Sequence, residues 1–183
     1  MNGGGVAQEF KEFLPSGKVL EIGCGGGRDA ATLVKLGFDY TGTDASAGMV
    51  GAAQQIVPHA SFQQCDVYEL AKLGRAFDGF WACAVLLHIP KSRIDEALQG
   101  IIGTVKQGAI GMISIKDGDS EEFEVRDIDG MHEERLFVYW KKDDFETVLS
   151  RNNLSVIQYK YRPVSKRTNW HIFIVRYNTK LLD

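Results

Sequence analysis

The chain has 183 residues, 44% of them apolar and 25% charged, with a formal charge of −3. That is enough for one domain around one sizeable core, and the balance excludes a disordered or fibrous chain. A slightly acidic chain also gives no electrostatic reason to expect a nucleic-acid partner.

The first residues, M-N-G-G-G-V-A-Q-E-F, carry neither the basic nor the apolar region of a secretion signal. Val19 to Gly23, V-L-E-I-G, read as a short buried strand. Asp29 to Leu36 follow at helical spacing, with Gly37 as a stop. Tyr40 to Thr43 form a second strand ending at Asp44, and Ser46 N-caps a helix that runs to about Ile56. A third strand over Ser61–Gln64 precedes a short helix over Val67–Leu73, and a fourth strand covers Phe77–Val85. An amphipathic helix begins near Pro90, places Ile94, Leu98 and Val105 on one face, and ends at Gly108. Ile110 to Ile115 give a fifth strand.

Asp117 to Glu134 are acidic and weakly patterned, and are expected to form a solvated loop over the sheet. A helix over Asp143–Arg151 and two β-rich runs, Ser155–Tyr161 and Trp170–Tyr177, close the pattern as an antiparallel hairpin. Strands alternating with helices imply right-handed crossovers and a parallel sheet covered on both faces. No linker divides the chain, so residues 1–183 are expected to form a single domain, with a flap or lid over about 117–140. No apolar run approaches the ~20 residues of a membrane span. Cys24, Cys65 and Cys83 are too few and too irregular for a disulfide framework or a zinc site. A soluble, cytoplasmic protein is expected, with no membrane partner and no metal.

The order strand, Gly23-Cys24-Gly25-Gly26-Gly27, helix suits a nucleotide-type ligand crossing the carboxyl edge of a sheet. Glycines let the backbone approach the ligand, and the helix start offers free N–H groups. Without a ligand the same run is a plain tight turn. Asp44, 21 residues after Gly23, is placed to accept hydrogen bonds from a ribose diol, or simply to cap the next helix. A dinucleotide fingerprint would want a third glycine where Arg28 stands, which disfavours a nicotinamide-dependent oxidoreductase.

The stretch V-L-E-I-G-C-G-G-G resembles motif I of the class I S-adenosylmethionine-dependent methyltransferases, including the acidic Glu21 within the strand. T-G-T-D-A-S-A-G-M, Q-Q-C-D-V, F-D-G-F-W-A-C-A-V-L-L-H-I-P and G-M-I-S-I-K resemble the same family's second to fifth strand motifs, so the likeness runs from about Gly17 to Tyr177. It implies an α/β, Rossmann-like, doubly wound, seven-stranded and mostly parallel sheet with an antiparallel C-terminal hairpin strand. It further implies S-adenosylmethionine as cofactor and S-adenosylhomocysteine as product. By the same likeness Glu21, Gly23, Gly25, Gly27 and Ala84 serve the cofactor, Asp44 holds its ribose, Met49 packs on adenine, and Asp66 with Val67 reads the adenine edge. One departure stands out. About sixteen residues precede the first strand, where many relatives carry a longer capping helix, so the lid is expected to be minimal or supplied by the acidic segment.

Methyl transfer needs an in-line nucleophile and exclusion of water, and a base only where the acceptor must lose a proton. His88, just after the fourth strand, is the candidate base, its structural alternative being a cap for the helix near Pro90. The run R-L-F-V-Y-W brings Arg135, Tyr139 and Trp140 as candidate substrate residues, Arg135 as a clamp for a carboxylate or phosphate. The alternative is an extended segment packing on the sheet. His132 and His171 lack the convergent partners of a metal site. The sequence lacks the [DNS]-P-P-[FWY] motif of nucleic-acid amino-methyltransferases, so a small-molecule acceptor is expected. The rival expectation is a non-catalytic S-adenosylmethionine-binding module or partner subunit, in which His88 and Arg135 would be buried away from the cofactor.

Overall fold

Successive strand residues point to opposite faces, so an apolar run such as V-L-E-I can bury both. The computed structural model describes residues 4–74, 76–128, 131–165 and 168–178, and of 126–128 and 131–133 the backbone alone. Strand β1 (Lys18–Ile22) lies between β2 (Asp39–Asp44) and β4 (Phe77–Cys83), parallel to both. β3 (Ser61–Gln64) pairs parallel with β2, and β5 (Val105–Asp117) parallel with β4. On the far edge of β5, β9 (Asn169–Tyr177) runs antiparallel and carries β8 (Leu154–Pro163) as its hairpin partner. The main sheet therefore reads β3-β2-β1-β4-β5-β9-β8, the expected seven strands with the antiparallel hairpin at one side.

Alternation divides the core between the two faces. Val19, Trp81, Ile172 and Ile174 join one apolar cluster, while Leu20, Ile22, Phe80, Ala82, Phe173 and Val175 join the other. Helix α1 (Gly4–Phe13) and helix α2 (Arg28–Lys35) cover the first face, with Phe10, Ala30 and Leu33 fully buried. Helices α4 (Ile94–Thr104) and α5 (Lys142–Arg151) cover the second through Ile94, Leu98, Ile101, Phe145 and Leu149. Helix α3 (Ala47–Ile56) follows β2, and the Ser46 hydroxyl accepts from the Met49 N–H at 3.3 Å, the expected N-cap. Among the described residues no helix is long and apolar enough to cross a membrane.

Three elements differ from the sequence expectation. Residues 4–13 form a helix where none was expected; Phe10 is its anchor, set against Phe38 and Trp81 with ring centroids 5.6 and 5.5 Å apart. Helix α4 ends at Thr104, not at Gly108, because β5 already begins at Val105. Gly108 lies inside that strand at φ +78°, where the register against β4 jumps from Phe77↔Val105 to Gly79↔Ile110. The third difference bears on function. The acidic segment is a hairpin, β6 (Glu121–Ile128) and β7 (Met131–Trp140), rather than a loop. β7 pairs parallel with β5 through Lys116↔Tyr139 and Asp117↔Trp140, just past the point where β4 stops pairing at Ser114.

Candidate active site

The carboxyl ends of β1, β2 and β4 and the hairpin strand β7 surround a cavity of about 450 Å³, within the range of small-ligand sites. Its floor is the glycine loop. Gly23 has φ +67°, and a Cβ there would stand 2.5 Å from Cγ2 of Val85, so only glycine lets β1 close against the chain leaving β4. Gly25, at φ +52°, lines the cavity and has open space where a Cβ would be, leaving room for a ligand against the main chain.

Asp44 is positioned by the main chain. One carboxylate oxygen accepts from the Gly25 N–H and the other from the Ser46 N–H, each at 2.9 Å. A carboxylate has about four lone-pair sites, so each oxygen keeps acceptor capacity for a diol. Met49 and Val67 line the same cavity, as does Asp66, whose carboxylate also accepts from the Tyr68 N–H at 3.0 Å to start the 3-10 turn Val67–Leu73. Ala84 lines it from the end of β4 at φ +57°, with its N–H on the Ser114 hydroxyl at 2.9 Å. A non-glycine residue there costs about 1–2 kcal/mol, strain of the kind that collects at ligand sites.

Two expected cofactor residues do not line the cavity. Glu21 is buried beneath the loop, takes a hydrogen bond from the Tyr40 hydroxyl, and has its pKa pushed up to about 8 chiefly by burial. It braces β1 against β2 and the face covered by α2. Gly27 lies behind the loop, where an added Cβ would be 3.0 Å from Cα of Ala53 in α3. Burial also raises the Cys24 and Cys83 thiols to about 12, too high for nucleophiles near neutrality.

His88 and Arg135 line this same cavity. The His88 Nδ1 is 2.7 Å from the Leu136 carbonyl of β7, and its ring meets Phe137 edge-on at 4.9 Å. A carbonyl only accepts, so Nδ1 carries the hydrogen and the lone pair of the neutral ring is on Nε2. Among the described residues Arg135 is the one permanent cation on the cavity wall.

The other members of R-L-F-V-Y-W do not join them. Period-two alternation sends Trp140 into the core against Phe145, with ring centroids 5.4 Å apart. Tyr139 shares a face with Arg135 but opens onto a separate cleft with Lys116, Glu122 and Glu124. The His132 side chain lies outside the described residues. Sequence reasoning did not single out Tyr68, Val85 or Ile89, which also line the cavity; their one signal was adjacency to Val67, Ala84 and His88.

These residues fit S-adenosylmethionine: a carboxylate with paired acceptors faces an uncovered glycine backbone, with Met49, Asp66 and Val67 along the same wall. A family model described as a methyltransferase domain matches residues 19–108. A putative methyltransferase, YqeM, of Bacillus subtilis (strain 168) is 29% identical over 104 residues, 54% of this chain and 42% of that protein. A ubiquinone biosynthesis O-methyltransferase of Azorhizobium caulinodans is 34% identical over 76 residues, 39% and 30% of the two chains. The chain spans less than half the length of these curated relatives. In fold it is similar to the Burkholderia thailandensis 1,6-didemethyltoxoflavin-N1-methyltransferase solved with S-adenosylhomocysteine, at TM-score 0.76 and 20% identity over 96% of this chain and 77% of that one. The glycopeptide N-methyltransferase MtfA, also solved with S-adenosylhomocysteine, gives TM-score 0.76 at 16% identity over 97% and 90%. With the glycine loop, the Asp44 carboxylate and the strand order all in place, residues 19–108 carry a methyltransferase domain of the class I S-adenosylmethionine-dependent family.

Proposed function

We propose that the chain transfers a methyl group from S-adenosylmethionine to a small-molecule acceptor that enters between the glycine loop and β7. The observation that carries this reading is the Asp44 carboxylate, fixed by the Gly25 and Ser46 N–H groups at the edge of a cavity that His88 and Arg135 also line. When bound, the cofactor supplies an electrophilic methyl on a sulfonium.

The chain's residues do the rest. Gly23 and Gly25 admit the cofactor's methionyl part to the backbone, Asp44 accepts from its ribose hydroxyls, and Met49, Asp66 and Val67 flank the adenine. Ala84 and Val85 bring the end of β4 against the reacting region. His88 accepts the acceptor's proton at Nε2 while donating from Nδ1 to the Leu136 carbonyl, and Arg135 orients an anionic group of the acceptor. The hairpin excludes water as a lid. His88 and Arg135 sharing the cavity supports an enzyme over a non-catalytic binding module.

The test is incubation with methyl-labelled S-adenosylmethionine and a panel of low-molecular-weight hydroxyl and amine compounds with and without a carboxylate. Label should pass to carboxylate-bearing compounds and fail to do so with His88→Ala. Tight cofactor binding with no label transferred to any compound would favour the binding module.

A further inference from the structure

The methyl-transfer reading leaves unused a polar cluster centred on the buried His171, at the root of the β6–β7 hairpin. His171 of β9 is buried, with Nε2 3.1 Å from Oδ1 of Asp117 and Nδ1 2.9 Å from the Tyr159 hydroxyl of β8. The Tyr161 hydroxyl donates to the other Asp117 oxygen at 2.9 Å, and Lys141 Nζ, directly after β7, is 4.0 Å from Oδ1. A carboxylate only accepts, so His171 Nε2 carries the hydrogen, and in the neutral ring Nδ1 takes the Tyr159 hydroxyl hydrogen. Burial opposes the charge on Asp117, but the bonds from Tyr161 and His171 and the Lys141 charge hold its carboxyl below the usual range.

Asp117 is the last residue of β5, and with Lys116 it makes the strand pairing between β5 and β7, continued by the Gly118 N–H on the Trp140 carbonyl at 3.3 Å. Beyond that root Phe137, Val138 and Trp140 of β7 are buried, the last two in the main core, and polar contacts add to them. The Lys91 N–H donates to Glu121 at 2.9 Å, the Lys91 ammonium donates to the Asp119 carbonyl at 2.8 Å, and His88 donates to the Leu136 carbonyl. Phe123 and Val125 on β6 are 66% and 63% exposed, so little burial holds the outer strand. The position of Leu136, and with it the tautomer of His88, therefore depends on how β7 leaves that root, with Val138 and Trp140 seating it in the core and Asp117 holding it on the β5 side.

We propose that His171 is a positioning residue: through Asp117, with Tyr159 and Tyr161, it braces the hairpin root so that the Leu136 carbonyl meets His88 Nδ1 and Arg135 faces the acceptor. The proposal rests on the reading of His88 as base, but its primary readouts do not involve turnover. His171→Phe keeps the ring volume and removes both hydrogen bonds. Amide exchange across β6 and β7 should quicken about tenfold, while β1 and β2 exchange as in the wild type and S-adenosylhomocysteine affinity stays within about twofold. In nitrogen-15 spectra the preference of His88 for the Nδ1–H form should weaken. His171→Gln, with a donor toward Asp117 and an acceptor for Tyr159, should restore both signals. Tyr161→Phe, which removes one peripheral bond and leaves the buried ring in place, should give a smaller change of the same kind. Wild-type hairpin exchange and His88 spectra in folded His171→Phe and Tyr161→Phe would overturn the brace, as would His171→Gln behaving like His171→Phe. Unchanged turnover in His88→Ala would instead remove the base reading, and leave the exchange result standing.

Discussion

The glycine loop and the β6–β7 hairpin frame the same cavity by opposite means. On the loop side the backbone sets the site: Asp44 is held by N–H groups of Gly25 and Ser46, and the Gly23 main chain closes against Val85. The hairpin follows β5 and pairs with it over two residues; β7 seats Val138 and Trp140 in the core, while β6 is an exposed outer strand. On the proposed reading, the cofactor is served by backbone at the sheet edge, and the acceptor by side chains of the hairpin.

If that contrast holds, substitutions on the two sides should separate cleanly. Gly23→Val should have the largest effect. A left-handed β-branched residue driven into Val85 should cost about 4 kcal/mol, visible in chemical denaturation, and abolish S-adenosylhomocysteine binding. Glu21 comes next. Its folded pKa of about 8 lies above the ordinary 4.5, so the stability it contributes is full below pH 4.5 and is lost as pH rises through about 8. Glu21→Gln should remove that decline, so that its advantage over the wild type grows across the window. Parallel pH–stability curves for the two proteins would contradict the buried neutral carboxyl.

Smaller effects should divide by ligand. Asp44→Ala should weaken S-adenosylhomocysteine by about 2 kcal/mol, roughly thirtyfold, read by calorimetry. Arg135→Ala should raise the KM of an anionic acceptor about tenfold and leave the cofactor titration unchanged. Tyr139→Phe, on the neighbouring cleft, should alter neither. Equal losses of cofactor affinity in Asp44→Ala and Arg135→Ala would dissolve the distinction between the two walls.

The same contrast governs what was legible in the sequence. Strand, glycine run, helix and a carboxylate at the end of the next strand form a code of short spacings, and each of those elements lies where it was expected. Glu21 and Gly27 belong to the same motif yet serve packing, because a strand residue pointing away from the loop and a helix-start glycine against Ala53 have no access to the cavity. The hairpin was harder to see because its acidic residues masked a period-two pattern. Glu122 and Glu124 alternate with Phe123 and Val125, and Asp129-Gly130, the pair that two-residue hairpin turns favour, falls between the strands. Grouping Arg135 with Tyr139 and Trp140 failed on strand geometry. Four residues along β7 is about 13 Å, and the fifth faces the core. Helix α1 was hidden by its glycine-rich start, which propensity disfavours and which tertiary burial of Val6, Ala7 and Phe10 overrides.

The central claim is that the cavity beneath Asp44 holds S-adenosylmethionine, and calorimetric titration with S-adenosylhomocysteine, with NADH as comparison, tests it most directly. Saturable one-to-one binding of S-adenosylhomocysteine, with no heat of binding from NADH, is the predicted result. Folded protein that ignores S-adenosylhomocysteine, or that binds NADH in its place, would contradict it.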